Sequence, residues 1–400
     1  MNIKEAKEEI KRTVLAYTRR KTDGSLSIPA DKQRPLLLIG PPGIGKTAIM
    51  EQVAGECGIG LVSYTITHHT RQSAIGLPVI RQKNYGGREY SVTEYTMSEI
   101  IASVYECMER TGEKEGILFI DEINCVSETL APAMLEFLQC KRFGNHTVPE
   151  GFMIVAAGNP DGYNKSVRDF DVVTLDRVRY FEVKEDLDVF LDYGAGAGLH
   201  EAILSFLAVK PQSFYRMEPS EKRMQFVTAR GWEDLSRMLY VYEELSLPVT
   251  EDFVFEFLQY LLVASEFTDY YKLYKTLEKE SPVETILKGQ ADASLISKVN
   301  EASYEEKVCL IHMLAQAILR TGFREADFLQ VFTFLKKVSS ESYYERILLK
   351  RLLRDKTFSE RILAEPDLMI SKAVNRFYDD QYISEREALC EALYAQLKGE

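Results

Sequence analysis

The sequence predicts an α/β fold: a parallel five-stranded sheet with helices on both faces, organised around a phosphate-binding loop and followed by helical domains. Three observations predict it. Residues 40–47 read GPPGIGKT between the apolar run Leu36–Ile39 and a helical stretch beginning near Ala48. Through about residue 183, short apolar runs alternate with helical stretches, the rhythm of a parallel sheet covered on both sides. After residue 184 strand patterns nearly vanish and helical spacing takes over.

Taken in order, the first run (Leu36 to Ile39) is a buried strand delivering the chain into the complete G-x-x-x-x-G-K-[ST] pattern. Gly43 and Gly45 let the backbone turn its N–H groups toward phosphate oxygens with no Cβ in the way. Gly40, Pro41, Pro42 and Ile44 complete the loop, and Ala48 opens a helix whose free N–H groups and dipole address the same anion. Lys46 brings a point charge to the β- and γ-phosphates, and the Thr47 hydroxyl takes a place on Mg²⁺. The pattern specifies a nucleoside triphosphate site.

Further strands are expected at 61–66, 117–120, 152–157 and 180–183, with helices at 47–56, 94–110 and 128–140. Two insertions break the rhythm. Residues 78–93 read as a hairpin turning at Asn84-Tyr85-Gly86-Gly87, and 141–151 form a second polar excursion.

The third strand ends in Asp121-Glu122. Ligands of open parallel sheets gather at the carboxyl ends of strands, so both acids should reach the phosphate loop. Asp121 would serve the Mg²⁺ shell, while Glu122 would orient and deprotonate the attacking water. The fourth strand ends in Gly158-Asn159-Pro160, placing Asn159 to bridge the γ-phosphate and that water.

Bulk properties exclude several classes. The 400 residues carry 49 Lys+Arg against 61 Asp+Glu, a formal charge of −12, which argues against nucleic acid or an anionic membrane as a broad partner. No apolar run is long enough to span a bilayer; the best candidate, 253–264, reads as a buried helix. The first residues lack the apolar stretch of a signal peptide. Six scattered cysteines with no C-x-x-C pair suggest reduced thiols in a cytoplasmic protein. His68-His69 has no further ligand at metal-binding spacing.

Beyond the sheet, 186–265 should hold helices split by YGAGAG at 193–198 and by a loop at Ala229-Arg230-Gly231. Two stripes read as core faces of a bundle: Val308, Ile311, Ala315 and Ile318, then Phe328, Val331, Phe332, Leu335 and Val338.

The order of these motifs resembles an AAA+ ATPase. DEINCVSETLAPAMLEFLQ at 121–139, AIGLP at 74–78 and TARGWEDLSRML at 228–239 are similar to the MoxR family of that superfamily. The resemblance covers roughly residues 10–270. It implies an AAA+ α/β domain over 1–184 and an all-α lid over 185–268, with ATP and Mg²⁺ as cofactors; the helical pattern beyond it reads as an accessory helical domain over 269–400. It also implies rings, usually hexamers, in which an arginine of one subunit completes its neighbour's site. Arg177 matches that position, with Arg179 in reserve, and Arg230 matches the arginine that the lid offers to the γ-phosphate of its own chain. Members of the family often act on a partner bearing a von Willebrand factor type A domain, and Tyr85 and Phe143 in the insertions would touch such a client. The expected function is ATP-driven remodelling or maturation of a partner protein. The alternatives are a nucleotide-gated scaffold with slow turnover and a GTP-using AAA+ relative.

Overall fold

The computed structural model describes residues 1–68, 71–161, 163, 170–219, 224–339, 343–366, 371–372 and 374. They fall into two compact units, Met1–Asp186 and Leu187–Glu400.

Among the described residues the first unit contains nine strands: β1 (Leu36–Ile39), β2 (Gly60–Thr65), β3 (Pro78–Tyr85), β4 (Arg88–Tyr95), β5 (Gly116–Asp121), β6 (Arg142–Phe143), β7 (His146–Thr147), β8 (Phe152–Gly158) and β9 (Arg179–Glu182). Five form one sheet in the order β2-β5-β8-β1-β9, with every neighbouring pair parallel. All four residues of β1 and all seven of β8 are buried, as a sheet covered on both faces requires. On one face Leu37, Leu118, Ile120, Ile154 and Ala156 join Ile101 and Val104 of helix Glu99–Thr111 and Met134 and Phe137 of helix Ala131–Cys140. On the other, helix Lys46–Cys57 packs against β5, with helix Ile3–Thr18 beside it. The chain passes from β1 to the far edge strand β2 and works back, so β1 lies where the strand order reverses. Such a switch point is where a crevice opens above the carboxyl ends of the strands.

The strands lie where the apolar runs placed them, each within a residue at either end. The helix expected from residue 94 starts later. Residues 94–95 complete β4, Thr96 pairs with Leu77 across the hairpin neck, and the Ser98 side chain caps the helix by accepting from Ile100 N–H. The hairpin β3–β4 turns at Gly86 and Gly87, both with positive φ. Phe143 is a correction. It is 3% exposed and stacks on Phe137 with ring centroids 4.2 Å apart, so it belongs to the core and offers no client contact.

In the second unit, helices Leu187–Ala197, Glu201–Val209, Ala229–Glu244, Glu251–Phe257 and Leu261–Glu280 enclose Trp232, Phe206 and Phe267. Among the described residues six more helices, from Pro282–Leu287 to Lys356–Ala364, build a second apolar core around Leu314, Phe328 and Leu348. Both predicted stripes face inward, with Phe332 and Val338 at the margin. Local details differ from the expectation. The 185–268 stretch is not wholly helical, because β10 (Arg216–Pro219) pairs with β11 (Met224–Val227). YGAGAG does split two helices, but at its last residue: Leu187–Ala197 runs through 193–197, Gly198 takes a φ of 72°, and the next helix begins at Glu201. Ala229-Arg230-Gly231 is a first helical turn, with Thr228 Oγ1 accepting from Gly231 N–H. A Cβ on Gly231 would sit 2.7 Å from Phe257 O, so the glycine serves close packing. The 253–264 stretch is two helices with a break at 258–260.

A charged cluster ties this unit together. Glu201, 2% exposed, takes a bidentate pair from Arg351 at 2.9 and 2.8 Å and a third contact from His312 Nδ1 at 3.1 Å. Burial pushes its carboxyl up, but the hydrogen bonds and charges of Arg351 and His312 outweigh that and hold it at about 2. Among the described residues no helix is long and apolar enough to cross a membrane.

Candidate nucleotide site

The phosphate loop leaves β1 with its conformation fixed by glycine. Gly43 and Gly45 have φ of 73° and 97°, where L side chains are strained. Gly40 is required by space, since a Cβ would approach Val183 O to 2.6 Å. Pro41 and Ile44 are buried and anchor the loop, while Pro42 and Gly43 are partly exposed and Ala48 faces solvent in the first turn of the helix. Helix Lys46–Cys57 starts with Gly45 at its cap, which has no side chain to compete for the N–H groups of the first turn. Free N–H groups at a helix start form an anion site.

Lys46 is 8% exposed, and its amine donates to Gly40 O at 2.6 Å, Pro41 O at 2.8 Å and Asn159 Oδ1 at 3.0 Å. The third contact brings the loop and the end of β8 together. The Thr47 hydroxyl donates to Asp121 Oδ2 at 3.0 Å, so the hydroxyl and carboxylate that would serve a magnesium ion lie side by side. Burial raises the Cys125 thiol first, and the negative charges of Glu122 and Asp121 raise it further. A cation at this end of β5 would meet that same negative field. A hard oxygen donor set beside a phosphate loop fits Mg²⁺, which is held by one or two protein groups plus phosphates.

Glu122 ends the strand abruptly at φ 58°, ψ 34°, a left-handed conformation rare for a residue with a Cβ. Its N–H donates to Asp121 Oδ1 at 2.9 Å, and its carbonyl accepts from Cys125 N–H. Its carboxylate accepts from the Thr67 hydroxyl at 2.8 Å. Asn159 is held by its backbone: Asn124 Nδ2 donates to Asn159 O at 2.7 Å, and Asn159 N–H donates to Asn124 Oδ1 at 3.3 Å. Gly158 clears room for that clasp, because a Cβ there would lie 2.3 Å from Asn124 Oδ1.

Lys46, Thr47, Asp121, Glu122 and Asn159 are therefore gathered at the carboxyl ends of three adjacent strands. Arg177 and Arg179 are not among them. Arg179 pairs in register with Leu36, about 13 Å below Gly40 at ~3.3 Å per residue. Its guanidinium donates to Thr13 Oγ1 at 2.7 Å and to Glu9, and stacks over Phe181. Arg177 lies at the same amino-terminal end of the sheet, exposed, with Nη1 donating to Gln139 Oε1. Arg230 belongs to the other unit, exposed in the first turn of Ala229–Glu244. His69 lies outside the described residues, as does the side chain of His68.

Sequence reasoning missed Thr67, Asn124 and Gln139. The first two carried a usable signal. Thr67 follows the carboxyl end of β2, whose Thr65 pairs with Asp121, and Asn124 stands two residues after Glu122. For Gln139, reaching Arg177 from 38 residues away, the sequence held none.

Residues 36–175 match the family described as ATPase family associated with various cellular activities (AAA). The match spans the phosphate loop, the acidic strand and Asn159, and stops two residues before Arg177. The parallel five-stranded sheet and the helical region after it fit the P-loop AAA+ fold. No curated protein matches the chain.

Proposed function

We propose that this chain hydrolyses ATP with Mg²⁺ and uses the cycle to remodel or mature a partner protein, as a ring-forming relative of the MoxR family in the cytoplasm. The observation that carries the reading is the convergence of Lys46, Asn159, Thr47, Asp121 and Glu122 at one end of the sheet. A phosphate chain in the loop receives the Lys46 charge and the N–H groups of the helix start. Magnesium, held by Thr47 and served by Asp121, supplies neutralisation of charge on the phosphate oxygens. Glu122 accepts the proton of the attacking water once its carboxylate turns from Thr67, and the Asn159 amide orients that water against the γ-phosphate.

Arg177 sits at the far end of the sheet from its own loop, which supports action on a neighbouring subunit. An arginine supplied in this way is worth ~10³–10⁵ in rate. Arg230 is assigned to the γ-phosphate of its own chain by family resemblance. The division into AAA+ domain and lid over 185–268 rests on the same resemblance, and the accessory domain over 269–400 on the helical pattern that follows it. The β3–β4 hairpin, with Tyr85 55% exposed beside Tyr90, is the client-facing element; a partner with a von Willebrand factor type A domain is the client class the resemblance names.

One observation favours a second reading. Thr67 holds the Glu122 carboxylate, as a slow, nucleotide-gated scaffold would. The test is light scattering of Glu122→Gln with and without Mg·ATP, alongside steady-state hydrolysis by the wild type. Growth to a ring with wild-type turnover supports the motor. A chain that binds ATP without assembling or hydrolysing supports the scaffold.

A further inference from the structure

We infer that Gln139 is a positioning residue for ATP hydrolysis, holding Arg177 extended toward the active site of a second copy of this chain. The inference rests on the reading of Arg177 as an arginine that acts in trans.

Helix Ala131–Cys140 ends beside the exposed turn that carries Arg177, and Arg177 Nη1 donates to Gln139 Oε1. The place of Gln139 is itself fixed. The next residues cap the helix through Lys141, whose left-handed backbone donates its N–H to Phe137 O and whose amine donates to Ala30 O at 2.7 Å. Phe137 is fully buried and stacked on Phe143. The holder is therefore anchored in the core, while the residue it holds is exposed.

Asp171 lies within electrostatic reach of Arg177. Its carboxyl is lowered chiefly by the side-chain and backbone hydrogen bonds of Thr174, and further by the Arg177 charge. Asp171 is committed to capping the short helix Val172–Leu175 through Thr174 N–H at 2.8 Å. The neutral amide of Gln139 thus makes the only hydrogen bond that the described structure gives to the Arg177 guanidinium. A neutral acceptor orients a guanidinium without pairing its charge, which leaves that charge to meet a phosphate. Arg179, two residues on, shows the opposite arrangement: Glu9 pairs its charge. Just before Arg177, Val172 and Val173 are 81% and 55% exposed, an apolar border of the kind a protein neighbour covers.

Gln139→Met keeps the side-chain length and helix propensity but removes the acceptor. Turnover should fall about 3- to 10-fold, the effect of freeing one rotamer-rich side chain that must then be ordered in each cycle. The KM for ATP and the melting temperature should stay near wild type, because no group that touches the bound nucleotide of its own chain has changed. Arg177→Ala should lose far more, and Arg177→Ala/Gln139→Met should lose no more than Arg177→Ala alone. All four proteins are assayed as full chains at a concentration where wild-type turnover per subunit no longer depends on concentration. If Gln139→Met turns over at the wild-type rate while Arg177→Ala is impaired, the positioning role is wrong. If the two losses multiply in full in the double variant, Gln139 acts independently of Arg177 and the role is equally wrong. If Arg177→Ala itself keeps wild-type turnover, the trans-arginine reading beneath the inference fails.

Discussion

Asn124→Ala is the sharpest probe of how the site is built. Asn124 is 5% exposed, and its side-chain hydrogen bonds in the described residues go to Asn159 rather than to the phosphate loop: it clasps both backbone groups of Asn159, at 2.7 and 3.3 Å. Removing the clasp deletes two hydrogen bonds, each worth about 1 kcal/mol net, and leaves a carbonyl and an N–H to find water. The loss should be about 2 kcal/mol. If it falls wholly on the transition state, turnover drops ~30-fold; if it falls on the fold, melting drops by roughly 4–8 °C for a unit of this size. Asn124→Asp separates the two effects. It preserves the shape and the acceptor for Asn159 N–H but turns a carboxylate oxygen toward Asn159 O, so it should impair turnover at least as much as alanine. Steady-state hydrolysis with nucleotide binding and calorimetric melting would report both quantities. Wild-type turnover in Asn124→Ala, with Asn159→Ala inactive, would refute the claim that the clasp places the Asn159 side chain.

Acid should unfold the second unit through its buried cluster. Glu201 has a folded pKa of about 2 against an ordinary 4.5, so it contributes about 3 kcal/mol above the ordinary value. That contribution is lost as pH falls from about 4.5 toward 2. Burial outweighs Glu201 and lowers the His312 pKa in the folded state, so its share of the stability is lost from a higher pH, as pH falls from the ordinary histidine value toward that lowered one. Glu201→Gln should destabilise by roughly 3–5 kcal/mol at neutral pH, because it leaves Arg351 buried without a countercharge; denaturant melts across pH read both effects, and an unchanged midpoint at neutral pH would count against the cluster. Phe143→Ala should cost about 3–5 kcal/mol by emptying the stack on Phe137; a melting midpoint equal to wild type would return Phe143 to the surface.

What was legible in the sequence follows from how local each determinant is. The strands of the sheet were readable because burial on both faces writes a continuous apolar run, and Leu36 to Ile39 and Phe152 to Ala157 are such runs. The phosphate loop was readable because glycine at a positive-φ position and lysine at a fixed offset are local demands. The acids and Asn159 were readable as strand ends, since parallel strands bring their carboxyl ends together. Phe143 misled because a polar neighbourhood, Gly144-Asn145-His146, reads as an exposed turn, whereas a two-residue strand sends its aromatic ring back onto Phe137. The break at YGAGAG was legible but its position was not, because three glycines signal it and only Gly198 takes a positive φ. Gln139 was illegible because its partner is 38 residues away and the pairing is made by the fold.

The left-handed backbone of Glu122 explains how one strand can supply two acids to one site. Successive side chains of a strand point to opposite faces, so a continued β5 would send Asp121 and Glu122 apart across the sheet. The turn at φ 58° ends the strand at that pair instead. Asp121 then bonds to Thr47 at the start of the helix after the phosphate loop, while Glu122 reaches Thr67 beyond the end of β2. Both partners lie at the carboxyl end of the sheet, one on either side of β5. A left-handed residue costs about 1–2 kcal/mol, and three hydrogen bonds offset it: Glu122 N–H to Asp121, Cys125 N–H to Glu122 O, and the Thr67 hydroxyl to the carboxylate. The first two stay when the carboxylate turns toward a bound water, and only the third must break. Backbone strain and its restraint therefore set where Glu122 stands, and Thr67 sets which way it faces before nucleotide arrives.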